Sequence, residues 1–118
     1  MLDLQYSKVV QQKLRELKAY LVQVSGEKRG TKQLQELVAS IENLASFPQT
    51  GIPISILYDV EQEFQKYYVL IRPKNYVIYY IEDQTVIIAE LYDYREDYAN
   101  HFFHVRTTND DAERFWGE

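Results

Sequence analysis

Three consecutive strand-like runs between residues 65 and 98 constrain the fold more than any other feature of the chain. Residues 67–72, 75–81 and 85–92 are rich in β-branched and aromatic side chains. The breaks between them, at residues 73–74 and 82–84, have the length of hairpin loops, and Pro73 cannot donate a ladder hydrogen bond. The stretch therefore predicts a three-stranded antiparallel meander.

Both faces of this predicted meander are apolar. Val69 and Ile71 point to one face while Tyr68 and Leu70 point to the other, so neither face shows the alternating polar residues of a solvated sheet. We expect the chain's own helices to cover one face. For the second face two alternatives stay open: a partner covers part of it, or the C-terminal segment of the chain does.

Two amphipathic helices are predicted before the meander. Ser7 can cap a first helix that ends at Gly26, and Thr31 can cap a second that Pro48 ends, with a charged loop at residues 27–30 between them. Their apolar stripes are Val10, Leu14, Leu17, Leu21 and Val24 in the first helix and Leu34, Leu37, Val38, Ile41, Leu44 and Ala45 in the second. Such a hairpin would bury both stripes by packing on the meander.

Shorter elements complete the prediction. Residues 2–6 alternate as an edge strand does, residues 55–60 read as another strand, and residues 99–104 as a short helix. The fold class is therefore α+β, with an N-terminal strand and an antiparallel helix hairpin packed on an antiparallel sheet of three or four strands. We expect one domain over residues 1–104 and a tail over residues 105–118. In that tail Asp110 could cap a last turn carrying Phe115 and Trp116.

Composition narrows the functional classes. The chain has 118 residues, no cysteine and a net charge of −5, which fits one domain in a reducing cytoplasm. No stretch suits a signal peptide or a membrane span. Residues 55–118 carry six Lys/Arg against thirteen Asp/Glu, and no basic stripe favours broad nucleic-acid binding. No phosphate loop appears, and His101 and His104 lack a third ligand nearby, so we expect no cofactor and no metal.

The candidate site is a cationic and aromatic group around the meander. Its members are Lys66, Arg72, Lys74, Tyr94, Arg95 and Tyr98. Strand order could bring them to one end of the sheet, or they could form surface salt bridges with nearby acids. Nine of the eleven tyrosines lie between residues 58 and 98. Tyrosine suits strands and protein interfaces, and with so little positive charge we favour those uses over base stacking.

The order of strand, helix hairpin and meander, closed by Arg-x-x-Tyr, resembles the RelE/ParE superfamily of toxins from type II toxin–antitoxin modules. Residues 46–51 (SFPQTG) are similar to its Phe-Pro-x-x-Gly loop, and residues 74–80 (KNYVIYY) to its Tyr-Arg-Val-Ile-Tyr-Arg strand. Residues 85–91 are similar to its next strand, and residues 93–98 (DYREDY) to its closing His-Arg-Arg-Glu-x-Tyr segment. The resemblance spans most of residues 1–102 and implies a RelE/ParE-like fold.

The resemblance implies three alternative functions. A ribosome-dependent mRNA endoribonuclease would use a cationic catalytic set of Arg72, Lys74, Arg95 and Tyr98, with Asp93 where many members have histidine. A gyrase-poisoning toxin would need no such set, and the long hairpin and acidic charge favour it. The third alternative is a diverged, non-toxic protein-binding module.

The resemblance also implies partners. An antitoxin segment covers the toxin's apolar groove in both branches, so we expect a cognate antitoxin, with DNA gyrase or the ribosome and its mRNA as the target. The candidate partner-binding residues are Tyr68, Tyr79, Tyr92 and Tyr94. A role in plasmid stabilization is implied as well, and assembly as a homodimer or as a toxin–antitoxin hetero-oligomer stays open.

Overall fold

The computed structural model describes residues 1–105. Its elements in chain order are β1 (Asp3–Tyr6), α1 (Lys8–Ser25), α2 (Glu27–Glu42), β2 (Ile52–Pro53), α3 (Ile54–Leu57), β3 (Tyr68–Ile71), β4 (Asn75–Glu82), β5 (Thr85–Asp93) and α4 (Tyr98–Phe103). Single 3₁₀ turns follow α2 and precede β3. The turn predicted around Asp110 lies outside the described residues.

The five strands form one sheet in the order β1-β5-β4-β3-β2. Strands β3, β4 and β5 are the predicted antiparallel meander, which confirms the α+β class. The strand count exceeds the predicted three or four because both ends of the sheet gain a strand. The predicted edge strand β1 pairs in parallel with β5, and the two residues of β2 pair with Val69 and Tyr68.

The strand predicted over residues 55–60 is wrong, because this region begins with the helical turn α3. Ile54 and Leu57 lie three positions apart and both pack into the core below α4, a spacing that a helical turn brings to one face. The amide of Tyr58 donates to the carbonyl of Ile54 (2.9 Å) and closes the turn.

Helix α1 begins and ends as predicted, with the Ser7 hydroxyl accepting from the Val10 amide (3.2 Å). The predicted loop at residues 27–30 and the Thr31 cap are wrong, because α2 already begins at Glu27. Gly26 alone reverses the chain at φ +85°, a conformation that glycine tolerates best. Gly30 then lies inside α2, where an added Cβ would come within 2.6 Å of the Leu21 backbone, so the two helices approach closely there.

The hairpin covers one face of the sheet and forms what we call the helix-side core. Its fully buried helical members Val10, Ile41 and Leu44 face the strands. The other buried members of this core are Leu37, Leu70, Val77, Tyr79, Val86, Ile88 and Leu91. A register shift beside Ile78 and Tyr79 in the β4–β5 pairing lets Ile88 and Leu91, three residues apart, both reach this core.

The chain's own segments also cover the second face, where they form an aromatic core. Its buried members are Ile54, Val60, Val69, Ile78, Tyr92, Tyr98, Ala99 and Phe103. Phe64 packs edge-on against Phe103 at 5.5 Å between ring centroids. Of the two alternatives for this face, coverage by the C-terminal segment is therefore the one observed. The prediction that a partner covers this area is wrong, because α4 packs there.

Tyr79 fixes the loop between α2 and β2. Its hydroxyl donates to the Pro48 carbonyl (2.7 Å) and accepts from the Gly51 amide (2.8 Å). An added Cβ on Gly51 would lie 2.6 Å from that hydroxyl, so the close approach requires glycine. This arrangement holds the Phe-Pro-x-x-Gly segment against the sheet and leaves the Phe47 ring 62% exposed.

Within residues 1–105 no helix combines the length and the apolar character that a membrane span needs.

Candidate functional site

An open cleft lies between the far end of the helix hairpin and one end of the sheet. Its volume is about 410 Å³. Its lining residues come from α1, from α2, from the β3–β4 turn and from the end of β5: Leu17, Tyr20, Leu21, Val24, Ser25, Gln33, Glu36, Leu37, Arg72, Pro73, Lys74, Asn75, Asp93, Tyr94 and Arg95. We call it the distal cleft.

The distal cleft exists because the apolar stripe of α1 continues past the sheet. With 18 residues, α1 is about 27 Å long. Leu14 and Leu17 still pack on the helix-side core, but Val24, farther along the stripe, is 57% exposed. Tyr20 widens the apolar surface because it lies three residues from Leu17 and four from Val24. The helix thus carries apolar surface that the strands do not cover.

Three of the predicted cationic residues meet along this cleft. Arg72, Lys74 and Arg95 all line it, because the β3–β4 turn lies beside the end of β5. The Arg72 amide donates to the Asn75 carbonyl (2.9 Å), and the Tyr94 amide donates to the Lys74 carbonyl (3.0 Å). These bonds hold the turn and the strand end together. In the described part of the chain, neither Arg72 nor Lys74 forms an ion pair.

Arg95 differs from the other two cations because it is paired. Its Nε lies 2.9 Å from Asp93 Oδ1, and its Nη2 lies 3.3 Å from Oδ2. The hydrogen bond from Arg95 lowers the pKa of the Asp93 carboxyl, and Asp93 raises the pKa of Arg95. Since the guanidinium is largely exposed, the pair adds little stability. The salt-bridge alternative therefore holds for Arg95, whereas the two cations of the β3–β4 turn form no ion pair within the described chain.

Tyr98 lies away from these cations. It is buried in the aromatic core on the opposite face of the sheet, with its ring 4.6 Å from that of Tyr76. Burial raises the pKa of the Tyr98 hydroxyl, and the neighbouring Tyr58 raises it further. Lys66 is also remote from the cleft, with its ammonium over the Tyr80 ring at 4.3 Å. The predicted catalytic set is therefore split between two faces.

Of the four predicted partner-binding tyrosines, only Tyr94 lines the distal cleft, where its side chain is 49% exposed. Tyr68 is half-buried and stacks on Tyr79 at 5.2 Å between ring centroids. Tyr79 and Tyr92 are buried at 0% and 2% exposure. Tyr79 belongs to the helix-side core and Tyr92 to the aromatic core, so neither side chain lies at the surface of the folded chain.

Tyr92 is the centre of a polar group below the end of β1. Its hydroxyl lies 2.7 Å from His101 Nδ1, and the Lys13 ammonium lies 4.6 Å from its ring centroid. Lys13 also pairs with Glu90 at 2.7 Å. Burial, aided by the charges of Glu90 and Glu96, raises the pKa of Tyr92 to about 12. These contacts fasten α4 and α1 to the edge of β5 where β1 has ended.

No cluster of three or more His, Asp or Glu side chains suited to a metal ion occurs among residues 1–105. His101 is hydrogen-bonded to Tyr92. His104 ends α4 in a left-handed conformation (φ +58°) beside the Phe64 ring.

The family model of the ParE toxin of type II toxin–antitoxin systems, parDE, matches residues 4–98. The chain belongs to this ParE toxin family. The match includes every residue that lines the distal cleft. The confirmed membership agrees with the resemblance noted in the sequence, and it narrows the superfamily to its ParE branch.

One solved structure shares the fold at low sequence identity. The structure titled "Chromosomal ParDE TA system from P. aeruginosa" superimposes with a TM-score of 0.61 at 15% identity, over 79% of this chain and 96% of that one. The solution structure of the conserved hypothetical protein HP0894 from Helicobacter pylori gives a TM-score of 0.43 at 16% identity, over 81% and 98%. No curated protein matches the chain significantly in sequence.

The residues of α1 and α2 that line the cleft were not predicted as part of a site. The periodicity predicts Leu21 and Val24 as part of a buried stripe and does not mark Tyr20, whereas all three residues line the cleft. The spacing of Leu17, Tyr20 and Val24 in the sequence could have indicated it. With Tyr20 included, the apolar stripe of α1 is widest at the far end of the hairpin. The position of the sheet below α1, which decides what stays exposed, is not readable from the stripe alone.

Proposed function

We propose that this chain is a toxin that inhibits growth by binding a cellular protein target, and that a cognate antitoxin neutralises it by occupying the distal cleft. Membership in the ParE toxin family supports the toxin role. The observation that supports the binding site is the cleft itself. There, exposed apolar surface lies beside Arg72 and Lys74, which form no ion pair within residues 1–105.

The cleft defines the chemistry of the antitoxin segment that would fit. Val24 and Tyr20 offer apolar surface on one wall, which suits an amphipathic helix or an extended apolar segment. Arg72 and Lys74 offer positive charge on the other wall, in a protein whose net charge is −5. An acidic segment with apolar or aromatic anchors would be complementary to both walls, and the charges would speed its association.

The target we propose is DNA gyrase, as the ParE branch implies. Purified protein should then inhibit supercoiling, and induced expression should arrest growth. Full supercoiling activity in the presence of saturating protein would remove gyrase as the target, while growth arrest would keep the toxin role. Expression without a growth defect would favour the non-toxic binding module.

The geometry gives the ribonuclease alternative little support. General acid–base cleavage needs a proton donor and acceptor near the phosphate-binding cations. Tyr98 is buried on the other face of the sheet, and the Arg95 guanidinium is held by Asp93. Among the described residues, those lining the cleft include no histidine. We expect no mRNA cleavage in a ribosome-containing extract, and cleavage that is lost in Arg95→Ala would contradict the proposal.

A charge-reversal pair tests the antitoxin site directly. The double variant Arg72→Glu/Lys74→Glu should bind the antitoxin encoded by the neighbouring reading frame at least tenfold more weakly in isothermal titration calorimetry. The antitoxin should also fail to restore growth when co-expressed with this variant. Both side chains are exposed, so the fold should survive.

The matched control is Lys8→Glu/Arg15→Glu, which makes the same change of charge on exposed positions of α1 outside the cleft. It should bind the antitoxin with nearly the wild-type affinity. Equal losses in both double variants would mean that only overall charge matters, and the cleft would not be the binding site.

A further inference from the structure

We infer that the distal cleft binds a nucleoside triphosphate, with its phosphates on Arg72 and Lys74 and its base against the rings of Tyr20 and Tyr94. Such a ligand is a second occupant of the cleft, and its binding does not depend on the proposed function. Three features of the lining point to it: the placement of the cations, the exposed aromatic rings and the compensation of the acidic residues.

The phosphate end of the site lies at the β3–β4 turn. Arg72 and Lys74 are both exposed, and neither forms an ion pair within residues 1–105. The hydrogen bond from the Arg72 amide to the Asn75 carbonyl (2.9 Å) fixes the turn that carries them. Arginine binds phosphate through a planar fork of N–H groups, and lysine adds a compact charge. Two such side chains on one fixed turn suit adjacent phosphate groups of a single ligand.

The base end of the site lies between α1 and the end of β5. Tyr20 is 52% exposed and Tyr94 is 49% exposed, and they line the cleft from different walls. Asp93 raises the pKa of the Arg95 guanidinium, and Tyr94 and Tyr20 raise it further, so both tyrosines lie within electrostatic reach of one group. Exposed aromatic rings stack on nucleic-acid bases of any sequence. A base in the cleft can therefore contact both rings.

Arg95 extends this stacking surface. Its guanidinium carbon lies 5.6 Å from the Tyr94 ring centroid, and Asp93 fixes the side chain through hydrogen bonds of 2.9 and 3.3 Å. A guanidinium plane stacks on bases as an aromatic ring does. Because Asp93 takes up its charge, Arg95 serves here as a planar surface rather than as a phosphate ligand.

The acidic residues of the lining are compensated. Asp93 is paired with Arg95. Glu36, the other carboxylate of the lining, lies four residues after the exposed Lys32 on α2, a spacing at which opposite charges offset each other. Arg29, three residues before Lys32, is a further exposed cation on this helix. The cleft can therefore receive an anion although the whole chain carries a net charge of −5.

The size of the cleft also suits a nucleotide. Its volume is about 410 Å³, and small-molecule sites have volumes of about 300–1,000 Å³ with mostly apolar walls and a few polar groups. Leu17, Leu21 and Val24 supply the apolar surface, while Gln33 and Asn75 add amide groups. Side-chain amides both donate and accept hydrogen bonds, so these two can bind the base or the ribose.

Isothermal titration calorimetry with three ligands tests both ends of the site. ATP should bind with a dissociation constant at or below about 1 mM. Adenosine lacks the phosphates and inorganic triphosphate lacks the base. Each should bind at least about fivefold more weakly than ATP, because each reaches only one end of the site.

Two double variants separate the two ends. Arg72→Glu/Lys74→Glu should weaken ATP binding at least about tenfold and remove the binding of triphosphate. Tyr20→Ala/Tyr94→Ala should weaken ATP binding about fivefold and leave that of triphosphate unchanged. All four side chains are exposed, so the far-UV circular dichroism of both variants should match that of the wild type.

The controls make the same kinds of change outside the cleft. Lys8→Glu/Arg15→Glu matches the reversal of charge. Phe47→Ala removes a ring that is 62% exposed and does not line the cleft. Both variants should bind ATP as the wild type does.

Four results would overturn the inference. One is the lack of saturable binding up to about 5 mM ATP. ATP binding that survives the charge reversal would place the ligand elsewhere. Equal affinities for ATP and triphosphate, both unaffected by Tyr20→Ala/Tyr94→Ala, would show that the cleft takes an anion only. A short oligothymidylate that binds more than about tenfold more tightly than ATP would assign the cleft to a nucleic-acid strand.

One consequence rests on the proposed function. If the antitoxin occupies the same cleft, ATP at about ten times its dissociation constant should weaken antitoxin binding about tenfold. Unchanged antitoxin affinity alongside confirmed ATP binding would keep the nucleotide site and overturn the antitoxin's place in the cleft. The ATP titrations need no antitoxin, so a failure of the nucleotide site leaves the proposed function standing.

Discussion

The two halves of the helix hairpin share one sequence pattern and end in opposite environments. In the half near β1, Val10 of α1 and Ile41 of α2 are fully buried against the sheet. In the far half, Val24 of α1 is 57% exposed beside the cations of the β3–β4 turn. The same apolar stripe thus stabilises the fold at one end and leaves apolar surface uncovered at the other. What distinguishes the halves is how far the sheet extends below them.

Stability and partner binding should therefore depend on different residues of the hairpin in this ParE-family chain. A substitution in the buried half should change the free energy of unfolding and affect partner binding only through unfolding. A substitution in the exposed half should leave the fold intact and weaken binding.

The largest effect is expected from Ile41→Ala in the buried half. Removing three buried carbons leaves a cavity between α2 and the strands, which should lower the free energy of unfolding by about 3 kcal/mol. Urea denaturation followed by circular dichroism measures the change. Val9→Ala on the exposed side of α1 is the control, with less than about 0.5 kcal/mol expected. A similar small loss for Ile41→Ala would contradict the close packing of the buried half.

Tyr79→Phe should cost less, about 2 kcal/mol, because the Pro48 carbonyl and the Gly51 amide both lose their partner. Tyr94→Phe is the control in the exposed half, because the Tyr94 side chain is 49% exposed. Its free energy of unfolding should stay within about 0.5 kcal/mol of wild type. Equal stability of the two variants would show that the hydroxyl of Tyr79 does not hold the loop.

Tyr79→Phe should also change how the free energy of unfolding depends on pH. Burial raises the pKa of Tyr79 from 10.0 to about 12, so between these values the unfolded chain loses a proton that the folded chain keeps. This contribution to stability is complete below pH 10 and is lost as the pH rises toward 12. In Tyr79→Phe the free energy of unfolding should therefore fall less steeply with pH between pH 10 and pH 12. The difference in slope should correspond to about one proton per molecule. An unchanged slope would contradict the assigned burial.

Val24→Ser should have the smallest effect on stability and a clear effect on binding. Because the side chain is mostly exposed, we expect less than about 0.5 kcal/mol in the free energy of unfolding. The loss of apolar contact should weaken antitoxin binding about tenfold, which corresponds to about 1.4 kcal/mol. Val9→Ser, at an exposed position outside the cleft, should change neither quantity. A binding loss shared by both variants would refute the division of the hairpin.

The sequence was informative wherever a local pattern decides the structure. The β-branched runs located the meander, and the stripe with its Ser7 cap located α1. The start of α2 was missed because Gly26 reverses the chain in a single residue, and because Gly30 looks like a loop residue until the approach of α1 is known. The helical turn at Ile54 was missed because α3 has only four residues. So short an apolar run does not show whether its periodicity is that of a helix or of a strand.

The candidate site was only partly predictable for the same reason. A meeting of Arg72, Lys74 and Arg95 at one end of the sheet was one of two alternatives, because hairpin connections bring strand ends together, and surface salt bridges were the other. Tyr98 lies away from these three residues because α4 folds back over the other face of the sheet. The Arg-x-x-Tyr spacing does not reveal that turn of the chain. Tyr79 and Tyr92 look like interface tyrosines in the sequence, and only tertiary packing shows that both are core residues.

Amide hydrogen exchange of the toxin with and without its antitoxin measures which half of the hairpin the antitoxin contacts. We predict added protection at residues 17–25, 72–75 and 93–95, with no change at residues 8–14 in the buried half of α1. Protection confined to α4 and the aromatic face, with the distal cleft exchanging as in the free protein, would contradict this account.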